Sequence, residues 1–137
     1  MLSKAWVMIR IKRIDHINMC VKNLRESSAF YHQYFGFAIK EDRSGDPEPW
    51  VVIGVPGVAY LCMYEHPAKE RPTDALTLNH FGFAVEDFDA VAEYLRKDGI
   101  KFQYGGIVQW PRSRSIYIRD PNGYDIELAE KVGGELN

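Results

Sequence analysis

Apolar and polar residues alternate from Ile14 to Val21. Ile14, His16, Asn18 and Cys20 fall on one face of a strand, and Asp15, Ile17, Met19 and Val21 on the other. The period then lengthens. Leu24, Phe30, Tyr34 and Phe35 form a stripe near helical spacing, which predicts a helix from Leu24 to Phe35. Asn23 is placed to cap its start, with Glu26 as a capping-box partner, and Gly36 to stop it. A strand follows at Phe37–Glu41, then a loop at Asp42–Pro49 holding Ser, Gly, Asp and two prolines. Strands at Trp50–Val55 and Val58–Tyr64 join through Pro56-Gly57. The order is β-α-β-β-β.

The same order then recurs. His66–Ala75, with Pro67, Pro72 and several charges, reads as a linker. Leu78–Val85 is a strand and Phe88–Lys97 a helix with Val91, Tyr94 and Leu95 inward, stopped by Asp98-Gly99. Ile100–Tyr104 is expected as a strand and Gly105–Arg114 as a loop. Ser115–Arg119 and Tyr124–Glu130 are strands around Asp120-Pro121-Asn122-Gly123, a strong turn signal. Equivalent positions of the two passes stand 64 residues apart, and that offset joins His16 to His80 and Val21 to Val85. Self-similarity at a fixed offset dictates architecture. The expectation is an α+β fold of two β-α-β-β-β modules, at 12–65 and 76–130 with a linker at 66–75.

Composition narrows the function classes. The chain has 137 residues, 46% of them hydrophobic and 26% charged, which is ordinary for one globular domain. A net charge of −2 offers no basic face for nucleic acid. No apolar run approaches the roughly 18–20 residues that span a bilayer, and the first residues lack a secretory h-region. Cys20 and Cys62 have no metal-ligand spacing and are expected to be reduced thiols in a cytoplasmic protein.

Three residues are the candidate chemistry: His16, His80 and Glu127. The histidines occupy repeat-equivalent places, and Glu127 shares a strand face with Asp125 and Ala129 in the strand that would close the site. Two imidazoles and a carboxylate suit a divalent first-row metal and leave positions open for water or substrate. His32 and His66 lack symmetry partners and read as surface residues. Glu48 and Glu65 are candidates for a general base. Asn18 and Tyr117 could donate hydrogen bonds to a substrate oxygen, and Arg112 and Arg114 could recognise an anion. Trp50 and Trp110 are candidate pocket walls. The open modules also predict a C2 homodimer that covers their edges.

At Ile14-Asp15-His16-Ile17, Ser28-Ala29-Phe30-Tyr31, Phe35-Gly36-Phe37, Asn79-His80-Phe81-Gly82-Phe83-Ala84-Val85 and Ser115 to Leu128, the chain resembles the vicinal oxygen chelate superfamily. That group includes glyoxalase I, fosfomycin-resistance proteins, methylmalonyl-CoA epimerase, extradiol dioxygenases and bleomycin-resistance proteins. The resemblance covers about Lys12 to Glu130. It implies the paired-module cup of the glyoxalase-like fold, with His16, His80 and Glu127 as ligands of a divalent ion such as Mn, Ni, Zn or Fe. Cys62 stands where glyoxalase I has a fourth ligand, a Glu, so the remaining set is that of the fosfomycin-resistance thiol transferases and the extradiol dioxygenases. Tyr60-Leu61-Cys62-Met63 and Arg114-Ser115-Ile116-Tyr117 look like fosfomycin-resistance segments, with Tyr117 at a substrate-contacting position and Cys62 lining the same cup. The chain stops at Asn137, whereas those proteins continue into a basic and aromatic tail that holds the phosphonate.

The implied activity is a metal-dependent lyase, transferase or isomerase acting on a small oxygen-bearing substrate, with a thiol as a possible co-substrate. Two alternatives share the cup. One is an Fe(II) ring-cleaving dioxygenase with the same triad, and the other a metal-free protein that sequesters a ligand as the bleomycin-resistance proteins do.

Overall fold

A computed structural model describes residues 10, 14, 16–66, 78, 80–110 and 113–131 of the chain. The first module runs β1 (Ile17–Val21), α1 (Leu24–Phe35), β2 (Ala38–Arg43), β3 (Trp50–Val55) and β4 (Ala59–Glu65). The second runs β5 (His80–Ala84), α2 (Phe88–Lys97), β6 (Val108–Trp110), β7 (Ser113–Arg119) and β8 (Asp125–Lys131). The expected linker, past His66, lies outside the described residues. Each module closes into a four-stranded sheet, in the orders β1-β4-β3-β2 and β5-β8-β7-β6. The first strand of each lies parallel to the last, and the remaining pairs are antiparallel.

Each sheet has one face in the core and one outside it. Ile17, Met19 and Val21 of β1 sit beside Leu61 and Met63 of β4, and Val51 and Ile53 complete the inner layer of the first sheet. Ile116, Ile118, Ile126 and Leu128 do the same in the second, all fully buried. One contiguous apolar cluster joins both layers with Leu24 and Tyr31 of α1 and Phe88, Ala92 and Leu95 of α2. Burying one such aliphatic side chain contributes about 1.5–3 kcal/mol, so the shared cluster holds the modules as one body. The opposite faces alternate to polar residues: Asn18 and Cys20 on β1, His80 on β5, Arg119 on β7.

The cap at Asn23 and the stop at Gly36 act as read. Asn23 Oδ1 accepts from Glu26 N at 2.8 Å, and Gly36 ends α1 at φ 69°. The stripe is rotated by one position, however. Leu24, Ser27 and Tyr31 are the buried residues of α1, while Phe30, Tyr34 and Phe35 are partly covered. In α2 the buried set is Phe88, Ala92 and Leu95, and Tyr94 is exposed. The reason for the rotation in α1 is polar. Tyr31 turns fully inward because its hydroxyl finds a carboxylate there, Asp120 Oδ2 at 2.9 Å.

The second module departs from the sequence expectation between Ile100 and Arg114. No strand forms at 100–104. Tyr104, Gly105 and Gly106 take φ of 57°, 82° and 113°, which a strand does not accommodate. The pairing strand comes later as β6, with Val108 opposite Ser115 and Trp110 opposite Ser113. The stretch read as a loop therefore contains β6, and β7 starts two residues earlier than expected.

The turn between β7 and β8 joins the modules. Asp120 Oδ1 accepts from Asn122 N at 2.8 Å and Tyr124 N at 3.0 Å, which shapes the turn. Asn122 reaches across to the first module. Its Oδ1 accepts from Lys22 N at 2.7 Å, and its Nδ2 donates to Ser27 Oγ at 3.0 Å. Burial pushes the Asp120 carboxyl above its ordinary range, and its hydrogen bonds to Tyr124, Asn122 and Tyr31 pull it back only in part.

Asn122 is 2% exposed. Truncating it would leave Lys22 N and Ser27 Oγ without these partners. Asn122→Ala is expected to cost about 2–3 kcal/mol of unfolding free energy, read from the urea midpoint at unchanged slope. A loss under about 0.5 kcal/mol would show that the bridge is dispensable.

Candidate functional site

The outer face of the second sheet gathers two of the three candidate ligands, His80 and Glu127. Because side chains alternate, β8 places Asp125, Glu127 and Ala129 on that face while Ile126 and Leu128 enter the core. β5 adds His80, Gly82 and Ala84, and β7 adds Ser115, Tyr117 and Arg119. His80 Nε2 lies 3.0 Å from Glu127 Oε1. Their side chains are 34% and 17% exposed, so the pair is reachable from solvent without being fully hydrated.

Two neighbours fix Glu127. Ser115 Oγ donates to Glu127 Oε2 at 2.6 Å, and Ser115 is fully buried. One carboxylate oxygen is thereby held by the protein and the other is turned to His80. Gly82 lies directly opposite Glu127 in the ladder. A Cβ on Gly82 would stand 3.2 Å from Glu127 Cβ and 3.3 Å from its backbone oxygen. The bare glycine is what lets the glutamate lean across β5.

Aromatic rings frame the pair. Tyr117, opposite Glu127, meets the His80 ring edge-on at 5.5 Å and the Tyr104 ring edge-on at 5.2 Å. Burial first, then the Glu127 carboxylate, raises the Tyr117 pKa, so its hydroxyl keeps its proton at neutral pH. Beside them, Asp125 accepts from Arg119 Nε at 2.7 Å and from the Tyr104 hydroxyl.

The remaining sequence candidates lie elsewhere. His16 stands just before β1, at the edge of the other sheet. Asn18 faces outward on β1 beside Cys62 of β4, and Trp50 of β3 stacks on Tyr64 with centroids 6.0 Å apart. Trp110 lies in β6, paired with Ser113. Arg112 lies outside the described residues. Arg114 sits on the core side of β7, clamped by Glu130 at 2.8 Å and Asp89 at 2.9 Å and laid over the Phe88 ring at 4.5 Å. It points away from the face that holds His80. Glu65 accepts from Leu24 N at 3.0 Å and so caps α1. Glu48 is exposed in the loop before β3. Periodicity could have flagged Ser115, two residues before Tyr117 on the same face. Nothing in the sequence marked Tyr104 or Arg119.

A nitrogen and a carboxylate oxygen on one partly open face are donors that suit a divalent first-row ion. Such an ion takes the Nε2 lone pair, so the hydrogen bond between His80 and Glu127 would give way to it. Among the described residues, no group of three His, Cys, Asp or Glu side chains forms that could hold a metal. Within one chain, therefore, His80 and Glu127 come together and His16 does not join them.

The thiols differ in environment. Cys62 is buried, and its pKa is raised by burial and by the Glu41 carboxylate, whereas Cys20 is exposed. At dilutions where the chain is monomeric, a thiol reagent near pH 8 is expected to label one thiol quickly, at Cys20, and the second at least roughly tenfold more slowly. Two fast thiols would contradict the burial of Cys62.

Comparison with known proteins gives a consistent picture. Residues 13–128 match the family model of the Glyoxalase/Bleomycin resistance protein/Dioxygenase superfamily, and the chain belongs to that superfamily. It is 26% identical over 129 residues to the uncharacterized protein YaeR of Escherichia coli, spanning 90% of this chain and all of that one. It is 28% identical over 134 residues to the virulence protein STM3117 of Salmonella typhimurium, spanning 92% and 89%. Among solved structures, a glyoxylase/bleomycin resistance protein/dioxygenase domain from Frankia sp. EAN1pec superposes with a TM-score of 0.73 at 22% identity, covering 92% of this chain and 96% of that one. A glutamate-to-glutamine mutant of the fosfomycin resistance protein FosX from Listeria monocytogenes, complexed with Mn(II) and 1S,2S-dihydroxypropylphosphonic acid, gives 0.72 at 21% identity, covering 93% and 95%.

Proposed function

We propose that this member of the Glyoxalase/Bleomycin resistance protein/Dioxygenase superfamily is a metal-dependent enzyme of glyoxalase or fosfomycin-resistance type. Its substrate is a small molecule that presents oxygen atoms to the metal. The observation that carries this reading is the His80–Glu127 pair at 3.0 Å, with Ser115 holding the far carboxylate oxygen. A glutamate braced this way beside an imidazole suits a ligand pair. The solved FosX complex with Mn(II) and a dihydroxy phosphonate supports the reading, since the same fold holds a metal and a small oxygen-rich molecule in that protein.

His80 and Glu127 would hold the ion together with His16 of a second copy. Among the described residues one chain gathers only two of the three candidate ligands, and Asn18 on the outer face of one sheet and His80 on that of the other are exposed. In a homodimer the first sheet of one copy covers the second sheet of the other, which brings Asn18, Trp50 and Cys62 over Tyr117. When bound, the ion supplies Lewis acidity at a substrate oxygen. The chain's own residues do the rest. Ser115 keeps Glu127 oriented, Tyr117 donates a hydrogen bond to a substrate oxygen, and the aromatic rings keep water out.

Metal titration and subunit mixing test this. Wild type is expected to bind close to one Mn(II) per chain, and His16→Ala, His80→Ala and Glu127→Ala are each expected to lose it while staying folded. After mixing and subunit exchange, His16→Ala with Glu127→Ala should regain on the order of a quarter of wild-type capacity, because random C2 pairing rebuilds one site in half the dimers. His80→Ala mixed with Glu127→Ala should regain none. A wild type that binds no Mn, Ni, Zn or Fe would leave the ligand-sequestering alternative, and oxygen uptake with catechols would favour the dioxygenase.

Ser115→Ala should keep the fold and weaken Mn(II) binding by roughly tenfold or more, the usual cost of losing a partner that orients a ligand. Calorimetric titration measures it, and an unchanged affinity would remove Ser115 from the site.

A further inference from the structure

We infer that Arg119 recognises an anionic group of the substrate, a carboxylate or a phosphorus oxyanion, beside the metal ligands. The inference deepens the reading above and rests on it.

Arg119, Asp125 and His80 are ladder partners across β7, β8 and β5, so the three stand side by side on one face. The Asp125 side chain is only 7% exposed, whereas that of Arg119 is 52% exposed. A carboxylate this buried is costly unless its partners are fixed. Here they are, since Arg119 donates through Nε at 2.7 Å and Tyr104 through its hydroxyl. The Asp125 contact engages Nε, Tyr104 also pairs with the guanidinium, and the side chain remains half-exposed on this face. A guanidinium oriented in this way presents a planar fork that matches an oxyanion.

Tyr104 shows that the arrangement is held against a backbone cost. It takes φ 57° immediately before two glycines that also have positive φ. A tyrosine rarely adopts that conformation, and such positions persist where surrounding contacts over-determine them. Here those contacts are Asp125 and the ring of Tyr117, which itself touches His80. The loop that displaced the expected strand at 100–104 thus serves to bring the Tyr104 hydroxyl onto the outer face.

Charge sets the order of events. Arg119 and Asp125 cancel formally, and Glu127 leaves this face one negative charge in excess. A divalent ion at His80 and Glu127 reverses the sign. An oxyanion therefore binds after the metal, and each strengthens the other, because coupling between two sites is reciprocal.

The test uses the full-length protein with Mn(II) as the metal and hydroxymethylphosphonate, glycolate and uncharged ethylene glycol as probes. In wild type, calorimetry should show both anions binding only after Mn(II), and Mn(II) binding more tightly in their presence. Arg119→Gln should bind Mn(II) alone within about twofold of wild type and lose roughly 10–30-fold in anion affinity. Arg119→Lys should fall between, having charge without the fork. Whichever anion loses more identifies the group the site takes. Tyr104→Phe, which keeps the charge and frees one anchor, should weaken anion binding by about threefold and serves if Arg119→Gln does not fold. Anion affinity equal to wild type in Arg119→Gln, or in both Arg119→Lys and Tyr104→Phe, overturns the inference alone. So does a wild type that binds Mn(II) but neither anion. A wild type that binds no divalent metal overturns the metal reading and this inference with it.

Discussion

One buried polar bridge governs how the two modules sit together. Asp120 and Asn122, in the turn between β7 and β8, connect with Tyr31, Ser27 and Lys22 of the first module through hydrogen bonds of 2.7–3.0 Å. The apolar cluster supplies most of the energy of association, but apolar contact is non-directional. The bridge is directional. It sets where the second sheet stands relative to α1, and therefore which faces of the two sheets remain open. Buried hydrogen bonds of this kind contribute modestly when formed and cost more when one partner is lost. Register is accordingly defined more sharply than contact area alone would define it.

The candidate site face follows from that placement and from strand periodicity. Once Ile116, Ile118, Ile126 and Leu128 are committed to the core, Ser115, Tyr117, Arg119, Asp125 and Glu127 have only the other side to occupy. Alternation thus concentrates five polar side chains beside His80 without any loop having to bring them there. Sites built on strands hold their geometry closely because the ladder fixes each Cα. The glycine opposite Glu127 completes the arrangement by leaving space.

Much of this was legible in the residues. Asn23, Gly36 and Asp120-Pro121-Asn122-Gly123 each carry a local mechanism that tertiary packing did not override. The face of Glu127 followed from alternation, and His80 was marked by its repeat offset from His16. What escaped was set by long-range contacts. Tyr31 and Phe30 are equally plausible core residues until Asp120, 89 positions away, selects Tyr31. Ile100–Tyr104 has the composition of a strand, but the positive φ at Tyr104 and the two glycines after it turns the chain. Arg114 looks like an anion receptor until α2 brings Asp89 to it. The distance between His16 and the other two candidate ligands depends on how modules pack, which no local pattern encodes.

The bridging turn also distinguishes two halves built on one plan. Its counterpart in the first module, Pro56-Gly57, has no side chain that can donate or accept a hydrogen bond. The clasp is therefore on one half and the socket on the other. A chimera made from two copies of the first half would keep the oily interior but lack the hook that seats it, and two copies of the second would offer hooks with no receptacle. The two halves, alike in plan, are complements rather than interchangeable parts.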